Sequence, residues 1–238
     1  LAGCVQPSLA PNINAATARV FDKLGIELFE EARAGCCGAV RFHLNDHEAA
    51  KNDMRRNIDA WWPHVEAGVE AIVVTASGCG VQVRDYGHIL ADDTLYAEKA
   101  AKISSLSRDP SEVLAGEKAA LLPLLAARPE RRGKLAFHSP CTLQHGLQIR
   151  GSIEVLLQSA GYDLTPVADS HLCCGSAGTY SVLQPELAGM LRANKLAALN
   201  AGGPALAATA NIGCLTHLQA GSSLPVRHWI ELIDEVLA

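Results

Sequence analysis

The chain has 238 residues, of which 49% are hydrophobic and 19% are charged, and its formal net charge is −5. This composition supports a buried core and excludes a disordered chain. The acidic balance argues against nucleic-acid binding, which usually needs a basic face, and no apolar stretch approaches the roughly 18 residues of a membrane span.

The sequence begins with Leu1 rather than Met, and residues 1–4 are typical of the end of a strand. No signal peptide is recognisable. We therefore expect the chain to be a fragment that lacks an N-terminal part.

The first half of the sequence predicts helices that alternate with strands. Apolar residues at four-residue steps and the glycine that follows them predict the first helix, and a β-branched run predicts a buried parallel strand. In chain order the predicted elements are a helix at 12–24, a short strand at 26–29, a double-cysteine turn, a helix at 46–67 with Trp61 and Trp62 in the core, a strand at 71–75 and a loop at 77–80.

The second half repeats this order, which is typical of an internal duplication. Its predicted elements are a strand at 134–138, a helix that opens at Cys141, a helix at 153–161, a strand at 164–167, a double-cysteine turn at 171–178, a helix at 185–200, strands at 206–210 and 225–226, and a helix at 230–237. The charged stretch 128–134, which contains Pro129, is the predicted seam. The predicted fold class is α/β, with two pseudo-symmetric open-sheet lobes, at 1–127 and 134–238.

The eight cysteines form two matching sets with none left over. They are Cys4, Cys36, Cys37 and Cys79 in the first half and Cys141, Cys173, Cys174 and Cys214 in the second. The first three members are repeated at an offset of 137 residues and the last at 135. A buried structural thiol can drift in position, whereas ligands must converge on one point, so the repeat favours ligation.

The predicted strands bring the thiols of each half together. Cys4, Cys79, Cys141 and Cys214 each follow a predicted strand, and the double cysteines follow short strands by a few residues. Ligands collect at the carboxyl ends of the strands in open α/β sheets. We therefore expect each set of four thiols to meet at one rim.

Three chemistries are open to these cysteines: a metal or metal cluster, redox-active thiols, or disulfides. Disulfide-dependent chains are usually small and poor in core, unlike this one. Structural zinc sites usually use Cys-x2–4-Cys pairs, which are absent here, and adjacent cysteines suit two irons of a cluster better than one ion. Four thiolates suffice for a 4Fe–4S cluster, and Gly38 and Gly175 let the backbone approach sulfur.

The double motif, Cys-x31-Cys-Cys-Gly followed about 40 residues later by Cys, resembles the cysteine-rich CCG domains of heterodisulfide reductases. The stretches 75–80, 137–145 and 211–218 are similar to the C-terminal half of glycolate oxidase iron–sulfur subunits. The resemblance implies an electron-transfer chain with one 4Fe–4S cluster per half. It also implies flavoprotein subunits as partners, a quinone or respiratory-chain acceptor, and a cytoplasmic location, peripheral at the inner membrane through the complex.

The sequence departs from the family pattern at one position in each half. The family motif ends Cys-x-x-Cys, but the last position is Gln82 in the first half and His217 in the second. The second set with His217 as a further ligand is therefore the better cluster candidate. The alternative for His217 is a helix histidine that hydrogen-bonds the backbone.

The histidines at 138, 145 and 171 crowd the second motif, where they could hydrogen-bond sulfur. Two other functions stay open: a thiol/disulfide reductase module, and a zinc-stabilised scaffold in which zinc replaces the clusters.

Overall fold

The computed structural model describes residues 1–128 and 130–238, so Pro129 of the predicted seam lies outside the described residues. Helices and short parallel strands alternate along the chain. In chain order the elements are α1 (Gln6–Leu9), α2 (Asn12–Asp22), α3 (Ala39–His43), α4 (His47–Glu66), β1 (Ile72–Val73), α5 (Ser77–Arg84), α6 (Tyr86–Ile89), α7 (Ala97–Leu106), β2 (Ser107–Arg108), α8 (Pro110–Gly116), α9 (Lys118–Ala126), β3 (Lys134–His138), a π-helix (Thr142–Gly146), α10 (Ser152–Ser159), β4 (Asp163–Leu164), α11 (Tyr180–Leu183), α12 (Pro185–Asn200), β5 (Leu206–Thr209), α13 (Ile212–Gln219), β6 (Val226–His228) and α14 (Trp229–Leu237).

The second half contains an open, fully parallel sheet in the order β4-β3-β5-β6. Leu135 of β3 pairs with Leu164 on one side and Leu206 on the other, and Ala207 pairs with Val226. The central strands are short apolar runs because helices cover both faces of the sheet. This arrangement confirms the predicted α/β class.

The first half has a smaller sheet, in which β1 and β2 are parallel and Ile72 pairs with Ser107. The predicted strand at 26–29 was wrong, because these residues form no strand. The matching strand of the second half, β4, pairs with the start of β3. The Leu1 amino group donates to the Val73 carbonyl at 2.7 Å.

Three further differences concern helices. The predicted loop at 77–80 is the first turn of α5, and Cys141 precedes a π-helix rather than an α-helix. Trp61 is buried as predicted, but Trp62 is only half-buried, and its indole N–H donates to Glu66. The predicted elements leave out residues 81–127, which form the second half of α5 together with α6–α9 and β2.

The two halves of the sequence share a hydrophobic core. The buried face of α2, including Val20 and Phe21, belongs to the same apolar cluster as Trp229 and Ile233 of α14. At the edge of this contact Arg19 forms a bidentate ion pair with Asp234, at 2.6 Å. The first and last long amphipathic helices of the chain therefore bury each other.

None of the helices described is both long and apolar enough to cross a membrane.

Candidate metal centres

The structure brings the four thiols of the first half together. The Cys4 thiol lies 3.6 Å from the sulfur of Cys36. Cys36 also lies beside Cys37, and Cys37 in turn lies beside Cys79. Cys37 is buried, Cys36 and Cys79 are half-buried and Cys4 is exposed, so the cluster opens to solvent on one side.

The second half repeats the same sequence of contacts. Cys173 lies beside both Cys141 and Cys174, and Cys174 lies beside Cys214. All eight cysteines lie in the described part of the chain and all are free thiols. The convergence expected from the sequence is therefore present in both halves, and disulfides do not account for it.

Each double-cysteine turn depends on a glycine with a left-handed backbone. Gly38 has φ +86° and Gly175 has φ +92°, a region that residues with a Cβ rarely adopt. The turn aims the Gly38 N–H at the Cys36 sulfur, at 3.5 Å, and the Gly175 N–H at the Cys173 sulfur, at 3.3 Å. Backbone donors therefore face the site where negative charge on sulfur must be stabilised.

The last cysteine of each set lies in the first turn of a helix. Cys79 is the third residue of α5 and Cys214 is the third residue of α13, and both helices follow a parallel strand. The unpaired N–H groups of a helix N-terminus favour thiolate over thiol. The sequence order strand, turn, cysteine thus gives the sulfur both its position and part of its electrostatic stabilisation.

The pKa values of the thiols alternate along each set. Hydrogen bonds from Cys37 and Cys4 lower the pKa of Cys36, whereas the hydrogen bond to Cys36 and burial raise the pKa of Cys37. The second half follows the same pattern, with Cys173 and Cys214 lowered and Cys141 and Cys174 raised. Four adjacent thiols cannot all ionise without a nearby cation, and a metal would displace the remaining protons.

His138 is the residue that distinguishes the second set from the first. It ends β3 and is 1% exposed, and in the part of the chain that the structure describes neither ring nitrogen has a hydrogen-bond partner. A ring nitrogen of His138 and the sulfurs of Cys174 and Cys214 all lie within 4.8 Å of one another. Buried thiols beside such an imidazole fit a thiophilic metal or an iron–sulfur cluster.

The other histidines of the second motif have other contacts. The His217 Nε2 lies 3.3 Å from the Ala188 carbonyl, a contact that favours the backbone-bonding alternative. The exposed ring of His145 contacts the His171 carbonyl at 3.2 Å. In the first half Gln82 is buried and its amide nitrogen has no partner.

The first turn of the Cys79 helix meets the start of the Cys214 helix across the contact between the halves. The Asn211 side chain accepts from the Gly78 N–H at 3.4 Å and donates to the Cys214 sulfur at 3.6 Å. The Ser77 hydroxyl lies 2.8 Å from the Thr142 hydroxyl, which joins the helix of Cys79 to the π-helix after Cys141. The sequence did not predict a role for Asn211, because only the folded chain places it against the other half.

Comparisons with known proteins agree with this geometry. Residues 1–84 and 135–219 match the family described as cysteine-rich domain (CCG). The chain is 54% identical, over all of its length and 57% of the relative, to the glycolate oxidase iron–sulfur subunit of Escherichia coli K12. It is 28% identical to the probable glycolate oxidase iron–sulfur subunit of Bacillus subtilis 168, over 92% of the chain and 48% of the relative.

A third relative is matched almost completely on both sides. Lactate utilization protein A of an Exiguobacterium species is 24% identical, over 98% of the chain and 94% of the relative. The chain thus spans about half the length of the two glycolate oxidase relatives and nearly all of the lactate utilization protein.

Proposed function

The chain belongs to the cysteine-rich domain (CCG) family, and we propose from this premise that it is an iron–sulfur electron-transfer protein. The observation that carries the proposal is the pair of thiol sets with one pattern of contacts, whose Cys79 and Cys214 helices meet across the contact between the halves. Residues 1–127 and 134–238 would be its two cysteine-rich domains. Two adjacent redox centres in one chain are suited to passing single electrons.

Each set of thiols would hold one 4Fe–4S cluster. The ligands would be Cys4, Cys36, Cys37 and Cys79 in the first half and Cys141, Cys173, Cys174 and Cys214 in the second. A bound cluster supplies one-electron redox chemistry. The chain itself orients the sulfurs, donates N–H groups to them from Gly38 and Gly175, and buries one side of each site. Such donors and the degree of burial set the reduction potential.

The wider role follows from the names of the relatives. We propose that the chain serves a complex that oxidises glycolate or a similar 2-hydroxy acid. Flavoprotein subunits would perform that oxidation, and this chain would pass the electrons toward a quinone or another respiratory-chain acceptor. The complex would be cytoplasmic and peripheral at the inner membrane.

An exposed apolar surface supports protein partners near the second set of thiols. Large apolar side chains on both sides of the second double-cysteine turn are exposed, namely Leu172, Val182, Leu183, Leu187 and Met190. Contiguous exposed apolar surface commonly marks an interaction site. We propose that a flavoprotein subunit docks there, which would bring its cofactor close to Cys173.

One observation favours a zinc-stabilised scaffold as a second candidate. Three potential ligand atoms, one each from His138, Cys174 and Cys214, lie within 4.8 Å of one another, so small side-chain rotations would bring them to the roughly 4 Å spacing of a single tetrahedral ion. Zinc has no redox chemistry, so a zinc-loaded chain would hold the halves together without carrying electrons.

Counting metals separates the two candidates. After anaerobic reconstitution with iron and sulfide, the wild-type chain should contain two 4Fe–4S clusters, or about eight irons. Cys37→Ser and Cys174→Ser, a matched pair of buried double-motif cysteines, should each lose about half of the iron and acid-labile sulfide. His145→Ala, at the exposed neighbouring histidine, should lose none. Tight zinc binding without iron uptake in the wild type would overturn the electron-transfer proposal.

A further inference from the structure

We propose that His138 supplies a fifth ligand, through nitrogen, to the metal centre of the second half, in addition to the four cysteines and next to Cys174 and Cys214. This inference rests on the proposed function, in which that half holds an iron–sulfur cluster. It makes the two centres chemically different, with sulfur ligands alone in the first half and a mixed sulfur and nitrogen set in the second.

The buried imidazole of His138 lacks hydrogen-bond partners at both Nδ1 and Nε2 among the described residues. His138 is 1% exposed, and its polar neighbours are the sulfurs of Cys174 and Cys214. Buried polar groups in folded proteins are nearly always paired, because leaving one unpaired costs its full desolvation. A metal bound through one nitrogen would remove much of this penalty.

His138 also lies next to the cysteines of the second half. β3 ends at His138, which pairs in register with Thr209 at the end of β5, and β5 leads directly into the helix of Cys214. The ligand atoms of His138, Cys174 and Cys214 lie within 4.8 Å of one another. With metal–sulfur bonds of about 2.3 Å and metal–nitrogen bonds of about 2.0–2.1 Å, a tetrahedral ion needs its ligands under roughly 4 Å apart. Small side-chain rotations would reduce the distances between the ligand atoms from up to 4.8 Å to this value.

Two of the neighbouring histidine rings are already engaged. His217 contacts the Ala188 carbonyl, and the exposed His145 contacts the His171 carbonyl. Histidine ligates through an uncharged imidazole nitrogen, so a histidine ligand adds no negative charge to a buried site, unlike a thiolate. At the 137-residue offset the first half has Leu1 in its place, which cannot ligate.

The test uses the full 238-residue chain carrying Cys37→Ser and Cys79→Ser, so that only the second centre is loaded. After anaerobic reconstitution with iron and sulfide and one-electron reduction, pulsed electron paramagnetic resonance should detect a directly coupled nitrogen. Growth with 15N-labelled histidine should change that coupling. His138→Leu, which copies the first half, should abolish the coupling and lower the midpoint potential, because imidazole ligation raises the potential of iron–sulfur centres. The matched control His217→Leu should keep both.

Each other outcome also decides the question. A coupling that persists in His138→Leu, or a reducible wild-type cluster without histidine coupling, overturns the inference while the proposed function stands. If His138→Leu does not fold, as judged by circular dichroism, the labelling experiment on the unchanged histidine decides.

If no cluster assembles, the proposed function fails, and the metal-free chain is titrated with Co2+ alone. Binding at least tenfold weaker in His138→Leu than in His217→Leu supports the ligand role of His138. Equal affinities in the two variants overturn it.

Discussion

Replacing Gly175 with alanine should destabilise the metal-free protein much more than the same change at Gly178. Both glycines have positive φ, +92° and +59°, so both variants force alanine into the left-handed region. That conformation costs about 1–2 kcal/mol, and the reduced freedom of the unfolded chain returns about 0.4–1 kcal/mol. Gly178→Ala should therefore cost on the order of 1 kcal/mol.

Gly175 carries a second penalty because its surroundings are full. A Cβ at this position would lie 2.5 Å from the Ala188 carbonyl oxygen and 3.1 Å from the Leu191 Cβ, whereas a Cβ at Gly178 would meet nothing within 4 Å. Overpacking of this kind adds about 1–3 kcal/mol. We expect a total of roughly 2–4 kcal/mol for Gly175→Ala. Gly38→Ala should be intermediate, because its Cβ would lie 3.0 Å from the Ala50 oxygen.

The free energies should be measured by anaerobic urea unfolding of the metal-free chains, followed by circular dichroism. The expected order of destabilisation is Gly178→Ala, then Gly38→Ala, then Gly175→Ala, with similar m-values. Iron uptake on reconstitution should fall most for Gly175→Ala, because the steric conflict there would shift the N–H of residue 175 away from the Cys173 sulfur. Free energies for Gly175→Ala and Gly178→Ala within about 0.5 kcal/mol of each other would refute the packing argument.

Three further predictions address pH, potential and cooperativity. Burial lowers the pKa of His228 from 6.5 to about 4, so the folded chain binds fewer protons there than the unfolded chain. The free energy of unfolding should therefore fall by roughly 3 kcal/mol as the pH falls from about 6.5 to about 4. His228→Asn should remove this pH dependence from urea-unfolding measurements. Asn211→Ala removes an N–H donor from the Cys214 sulfur. Electrochemical titration of the reconstituted chain should therefore show that the midpoint potential of the second centre falls by tens of mV, since about 1 kcal/mol corresponds to roughly 40 mV for one electron. Phe21→Ala should lower the free energy of unfolding by about 3–5 kcal/mol. Circular dichroism and Trp229 fluorescence should both follow one unfolding transition in this variant, because Phe21 and Trp229 share one core.

Each of these has a clear contrary result. A wild-type minus His228→Asn difference that is constant between about pH 4 and pH 7 would contradict the first. An unchanged potential in Asn211→Ala would contradict the second. Two separate unfolding transitions in Phe21→Ala, with Trp229 reporting only the later one, would contradict the third.

Sequence reasoning succeeded where one local pattern determines the structure. Helix α12 was predicted with its observed bounds, because Pro185 suits a first turn and apolar spacing continues to Asn200. The grouping of the cysteines also followed from sequence, since their repeat specifies ligands that must converge. The structure agrees with both.

The failures involve information that local patterns do not contain. The strand expected at 26–29 needed a neighbouring strand, which propensity cannot supply. The sequence marked His138 as one of three histidines near the second motif, but its burial and its surroundings are properties of the fold. Asn211 left no signal in the sequence, because its contact with Gly78 spans 133 positions.

The mutual packing of α2 and α14 has a consequence for engineering chimaeras. Exchanging only the second half with that of a relative would place a foreign α14 against the native Val20 and Phe21, and would separate Arg19 from its Asp234 partner. A functional hybrid would therefore have to take α2 and α14 from the same parent. Either half of the sequence alone is not a unit that can be exchanged.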